Sequence, residues 1–179
     1  MCPYDSAGLP GWVIVDAAST HPAVIKDGEA TASASYLGPS YVPPRCDRAL
    51  PRPPAHAEAL GYRDDLGPVR NFILSRAKRA GLTPRRIPDL VLAISELAAN
   101  TLRHTDGGGT VQAWWSKDRF ICQVADAGQI TDPLIGHRAP PDEVMGGYGL
   151  WLVNQVCDLV QARTGQAGTT IRLQMRLQA

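Results

Sequence analysis

No apolar run in this 179-residue chain comes near the length that crosses a bilayer, and the opening MCPYDSAGLP has neither the basic start nor the apolar centre of a secretory signal. Export and membrane insertion are therefore not expected, and the cytoplasm is the expected compartment. Blocks of like charge are absent too: the formal net charge is +1, with 20% of residues charged. Such a balance provides no basic footprint for direct nucleic-acid binding or for an anionic membrane surface. The four cysteines, at positions 2, 46, 122 and 157, make no CxxC pair and hold no ligand-like spacing with the four histidines. That spacing argues against zinc and for reduced thiols. Cys122 and Cys157 stand in FICQV and NQVCDLV, apolar surroundings that suit small core residues. Two familiar routes to nucleotide are also missing, since there is no Walker A motif and no GxGxxG between a strand and a helix.

What is there divides near residue 55. Nine of the fifteen prolines fall at or before Pro54, and YVPPRCDRALPRPP cannot continue as helix or strand. Upstream of it, GWVIVDAA reads as one short strand or helix and THPAV as an extended piece. Residues 1–54 are thus expected to be a proline-rich, sparsely packed extension or the remnant of another domain. Residues 55–179 are expected to carry the folded domain, a length that supports one real core.

In that second part the periodicities are regular. Leu66, Val69, Phe72, Ile73, Ala77 and Ala80 recur at helical spacing and stop at Gly81. Thr83 followed by Pro84 reads as an N-cap and first helical position, opening a long helix to about Thr105 that ends in DGGG. TVQAWWSK and RFICQVADA read as a hairpin through Lys117-Asp118. After the irregular GQITDPLIGHRAPPDEVM, a third helix is expected from about Gly149 to Leu159, and VQART with TTIRLQMRL gives a second hairpin. Helix, helix, strand pair, loop, helix, strand pair is an α+β order, with helices on one face of a largely antiparallel sheet.

Three short features within this order carry chemistry. In VLAISELAANTLRHT, the residues Leu90, Ile94, Leu97 and Thr101 form one helical stripe, flanked by Val91, Ala98 and Leu102. Glu96 and Asn100 stand together on another face, four residues apart, where two side chains can converge on one ligand. An isolated ExxxN is most often a solvated face, yet Asn costs helix propensity that Lys or Glu would not. Asp126 ends a strand and runs into Ala127-Gly128, so its carboxylate can meet a ligand that glycine allows close to the backbone. Gly146-Gly147-Tyr148-Gly149 precedes a helix, whose free amides favour phosphate oxygens. Singly, a strand-end Asp is mostly a turn residue and a glycine cluster mostly a loop.

Taken together and in this order, ExxxN, DxG and GGxG before a helix resemble the nucleotide-binding boxes of the GHKL ATPases, the group of gyrase B, Hsp90, histidine kinases and MutL. ELAANTLRHT with DAG and GGYGLWLV is most similar to the anti-sigma-factor serine/threonine kinases of that group, and the resemblance spans about residues 56 to 177. It implies a Bergerat-type two-layer sandwich, about three helices on one face of a mainly antiparallel mixed sheet. It further implies ATP and Mg²⁺ as ligands. By the resemblance Glu96 is the catalytic group that orients or deprotonates the attacking hydroxyl, and Asn100 is the metal ligand. Asp126 accepts from the adenine amino group, Gly128 makes room for the ring, and Thr169 supports both. Gly146, Gly147 and Gly149 hold the phosphates, residues 128–145 form the ATP lid, and Arg103 and His104 lie near the phosphate end.

The activity so implied is phosphorylation of a Ser on a STAS-type anti-anti-sigma protein, with a sigma factor as second partner and homodimerisation through this domain. The alternative is a non-catalytic ATP-binding module that controls a partner through its lid. Glu96 separates the two, because binding alone needs no base. No histidine sits in a phosphoacceptor helix pair ahead of the domain, so histidine autokinase activity is not expected. CPYDSAGLP followed by THPAVI resembles the end of a MEDS-type sensory domain, which implies a chain whose sensory part is mostly gone.

Overall fold

Prolines and glycines mark the ends of several elements. The computed structural model describes residues 8–26, 28–38, 41, 43, 49–132, 135–137 and 147–177. The chain forms two units, Met1–Ala49 and Leu50–Ala179. In the first, α1 (Gly11–Thr20) takes up the GWVIVDAA stretch, and β1 (Ala23–Lys26) pairs antiparallel with β2 (Glu29–Ala32). No residue of α1 is buried and all of β2 is exposed. The CPYDSA part of the sensory-domain resemblance lies outside the described residues.

The second unit begins with β3 (Glu58–Tyr62), a strand that the periodicities did not signal, followed by α2 (Gly67–Ala80). Pro68 sits in the first turn of α2, and Gly81 closes it in the left-handed region at φ 81°, donating to the carbonyls of Ala77 and Lys78. Next comes α3 (Ile87–His104), which starts three residues after the Pro84 that the sequence suggested. Thr83 to Arg86 is instead a turn, closed by the Arg86 amide donating to the Thr83 carbonyl at 2.9 Å. Pro88 explains the shift. It has no N–H and its ring clashes with a carbonyl four residues back, so the first turn of α3 is the one place that accommodates it.

The remaining elements are β4 (Gly109–Ser116), β5 (Arg119–Asp126), α4 (Tyr148–Val156), β6 (Leu159–Gly165) and β7 (Gly168–Arg176). Extended backbone at Cys157 ends α4 three residues before the expected Leu159, which already belongs to β6. The five strands lie in the order β3-β4-β5-β7-β6, and every pairing among the described residues is antiparallel. The inward sides of β4, β5 and β7 supply Val111, Phe120, Val124, Leu173 and Met175 to one core with Ile73 from α2 and Leu90, Ile94 and Leu97 from α3. This is an α+β sandwich with helices against the sheet.

Register sets up the site. Tyr62 is opposite Gly109, Gly109 opposite Asp126, Asp126 opposite Thr169, and Thr169 opposite Thr164. One lateral row therefore crosses all five strands. On the other side of the sheet, Arg172 stacks over Trp114 at 5.1 Å and donates to Gln123 Oε1 and to the Pro51 carbonyl. The start of the second unit is thereby tied across that face.

Candidate functional site

A cleft of about 870 Å³ opens where the C-terminal half of α3, the ends of β5 and β7 and the start of α4 meet. Glu96, Asn100, Asp126, Gly128, Gly147, Gly149 and Thr169, seven of the residues singled out in the sequence, all line it. Arg103 and His104 line it too, whereas Gly146 and most of the lid stretch lie outside the described residues.

At its strand end the polar groups are fixed. Asp126 closes β5 in a tight turn in which its Oδ1 accepts from the Gly128 amide at 2.8 Å. Its Oδ2 accepts from the Thr101 hydroxyl of α3 at 2.6 Å. Both bonds are donated to the carboxylate, which lines the cleft and keeps further lone pairs for a ligand. A Cβ on Gly128 would stand 3.0 Å from Asp126 Oδ1 and 3.1 Å from the Thr105 methyl, so glycine keeps this corner open. Thr169 donates its hydroxyl to the Gly128 carbonyl at 2.8 Å and shares a 2.8 Å contact with the Thr164 hydroxyl. The row across the sheet thus braces both sides of the Asp126 turn.

The sequence reading missed Tyr62 and took Thr101 as part of the apolar stripe. Thr101 is 1% exposed, and a hydroxyl buried that deeply needs a partner, which is the signal that marks it. Tyr62 is buried as well and donates to Thr101 Oγ1 at 3.0 Å. Burial raises its pKa, the hydrogen bond to Thr101 pulls it the other way, and the Asp126 charge adds to the rise. Tyr62 is accordingly a neutral donor.

At its helix end the cleft is less constrained. Among the described residues, the Glu96 carboxylate has no hydrogen-bond partner, and Asn100 Oδ1 accepts one bond, from Arg103 at 2.9 Å. The N-cap of α4 is Gly147, left-handed at φ 82°, and no side chain caps the first amides. Gly149 in that first turn packs on α3. A Cβ there would come 2.9 Å from Glu96 Oε2 and 3.3 Å from Asn100 Nδ2. Among the described residues no three His, Cys, Asp or Glu side chains gather as a metal centre.

A family model, the histidine kinase-like ATPase domain, matches residues 62–175, from the end of β3 to the last residues of β7. The chain belongs to this family. ATP is accordingly the ligand class of this histidine kinase-like ATPase domain. A curated relative, the serine-protein kinase RsbW of Halalkalibacterium halodurans, is 31% identical over 122 residues, or 62% of this chain and 72% of the relative. Among solved structures, the RsbU and RsbW domains of a Mycobacterium tuberculosis protein are similar at TM-score 0.51 and 22% identity. That match covers 70% of this chain and 33% of the other, and it speaks for the fold. Among the described residues no helix is long and apolar enough to cross a membrane.

Proposed function

We propose that this chain is an Mg-ATP-dependent serine/threonine kinase of the anti-sigma type, which binds a sigma factor and phosphorylates a STAS-type anti-anti-sigma protein. The observation that carries the reading is Glu96. It is a carboxylate on the cleft wall, one helical turn from Asn100, unengaged by any described residue and set against the first turn of α4. A general base must not already be committed elsewhere, and the unengaged Glu96 carboxylate supports that role.

On this reading Asn100 presents a neutral oxygen to Mg²⁺, which suits a cation that prefers oxygen ligands and keeps its waters. The corner fits a phosphate-bound ion: a side chain at position 149 would crowd Glu96 and Asn100, and Gly149 supplies none. When bound, the metal neutralises phosphate charge. The free amides from Gly147 onward receive phosphate oxygens, and Gly146 belongs with them. Asp126 accepts from the adenine amino group, Gly128 leaves room for the ring, and Thr169 keeps the Asp126 turn in shape. Glu96 receives the proton of the substrate serine, and transfer then rests on positioning. On the same reading, CPYDSAGLP and THPAVI within residues 1–54 belong to a segment of MEDS type.

Incubation with γ-labelled ATP and a STAS-type protein should move label to a serine of that protein. Glu96→Ala should retain nucleotide binding and lose transfer. Binding without transfer to any STAS partner would favour a non-catalytic module acting through its lid, and parallel loss of binding and transfer in Glu96→Ala would make Glu96 structural.

A further inference from the structure

We infer that Tyr62 and Thr101 are positioning residues for base recognition: a hydrogen-bond relay from Tyr62 through Thr101 fixes the Asp126 carboxylate and so sets the preference for a purine bearing a 6-amino group. The inference rests on the reading of Asp126 as the adenine contact and extends it to two residues beneath the cleft.

Proton accounting gives the relay a single direction. The Thr101 hydroxyl has one hydrogen and three oxygens around it: Asp126 Oδ2 at 2.6 Å, Tyr62 Oη at 3.0 Å and the Leu97 carbonyl at 3.3 Å. A separation of 2.6 Å between a hydroxyl and a carboxylate oxygen is that of a charge-assisted bond, so the Thr101 hydrogen points at Asp126. Tyr62 must then donate to Thr101. Its proton occupies the acceptor side of Thr101 and biases that hydroxyl against turning back to Leu97. Buried side-chain networks of this kind are stiff, and both hydroxyls lie away from solvent.

The sheet makes room for the arrangement. Tyr62 and Asp126 are separated in the lateral row by Gly109, and a Cβ on Gly109 would come 2.7 Å from Tyr62 Oη and 2.9 Å from its Cζ. A glycine in the middle of the row therefore lets the phenol lie flat over β4 and reach α3. With Oδ2 held by Thr101 and Oδ1 by the Gly128 amide, the carboxylate cannot rotate. Its free lone pairs keep one direction. A 6-amino group meets them as a donor, while a 6-oxo group or a bare C–H offers nothing to accept.

The test uses the full chain and calorimetric affinities for ATP and for purine riboside 5′-triphosphate, which differ only in the 6-amino group. Thr101→Val should reduce the preference for ATP by roughly tenfold, the scale of a hydrogen bond to a charged group, and Tyr62→Phe by about threefold, the scale of a neutral one. Affinity for purine riboside triphosphate should stay unchanged in both, and Thr101→Ser should restore the preference. The double variant Tyr62→Phe/Thr101→Val leaves no hydroxyl orphaned, so it guards against misfolding and should behave as Thr101→Val. Both nucleotides weakening in step, or a wild-type preference in Tyr62→Phe, would overturn the relay. Asp126→Ala is the separate arm. If it leaves the preference intact, the adenine reading falls and takes the relay with it; if it abolishes the preference while Tyr62→Phe does nothing, the relay alone falls.

Discussion

The two ends of the cleft are built on different principles. At the strand end every polar group is already engaged: Asp126 by Thr101 and Gly128, Thr169 by Gly128 and Thr164, Thr101 by Tyr62. At the helix end Glu96 is unengaged among the described residues, and Asn100 holds only an exposed contact with Arg103. A group that recognises a flat, neutral base benefits from being fixed beforehand, because discrimination depends on donors and acceptors that cannot adjust. Groups that meet a charged, hydrated phosphate and a moving proton must exchange partners during the reaction. On the proposed reading, the difference separates recognition from chemistry in one pocket, along a single helix.

The comparison is sharpest at Asn100. On the proposed reading, Asn100→Ala should remove Mg-ATP binding beyond calorimetric detection, because the metal would lose its protein oxygen, while binding of ATP in chelator should be unchanged. Equal affinities for Mg-ATP in variant and wild type would remove Asn100 from the metal.

Two glycines then test rigidity directly. Gly109→Ala forces a methyl into the ring of a buried tyrosine, which cannot swing aside, so denaturant unfolding should report a loss of about 1–3 kcal/mol. Gly149→Ala brings its methyl as close to Glu96 Oε2, but that oxygen ends a flexible side chain. Stability should change by less than about 0.5 kcal/mol, with the penalty read as slower phosphotransfer. If the two substitutions cost the same stability, the contrast between a fixed and an adaptable end is wrong.

The smallest effect is expected in the core beneath both ends. Burial pushes the Cys157 thiol up to about 12, with the Arg86 charge opposing and Asp158 and Asp89 adding, and burial raises Cys122 well above its ordinary value. A raised thiol pKa means less thiolate, and thiolate is the nucleophile. At pH 8 the Cys157 thiolate is therefore on the order of one in ten thousand, and peptide mapping after alkylation in native buffer should find Cys157 and Cys122 unmodified. Rapid labelling of Cys157 would mean that the end of α4 opens.

The sequence made the polar lining of the cleft legible and left its support hidden. Glu96, Asn100, Asp126 and the glycines belong to short ordered motifs, and three helices and two hairpins follow from their periods and breakers. β3 escaped because EALGY is five residues with a glycine inside, too short for alternation to speak, and it becomes a strand by pairing with β4 about fifty residues on. The start of α3 was misread because two prolines compete there and the second one decides. Tyr62 and Thr101 are 39 residues apart, so nothing in either neighbourhood reveals that they meet. What a buried threonine on an apolar stripe does reveal is that some partner exists.

The row Tyr62–Gly109–Asp126–Thr169–Thr164 has a bearing on folding as well as on recognition. Side chains alternate between faces, so a slip of one residue in any strand would turn its member of the row to the opposite side of the sheet. On the proposed reading, a nucleotide that uses Asp126 and its neighbours binds best when the strands that carry them are in step. Ligand binding would then favour correct strand pairing, drawing the population toward the correctly registered chain by mass action.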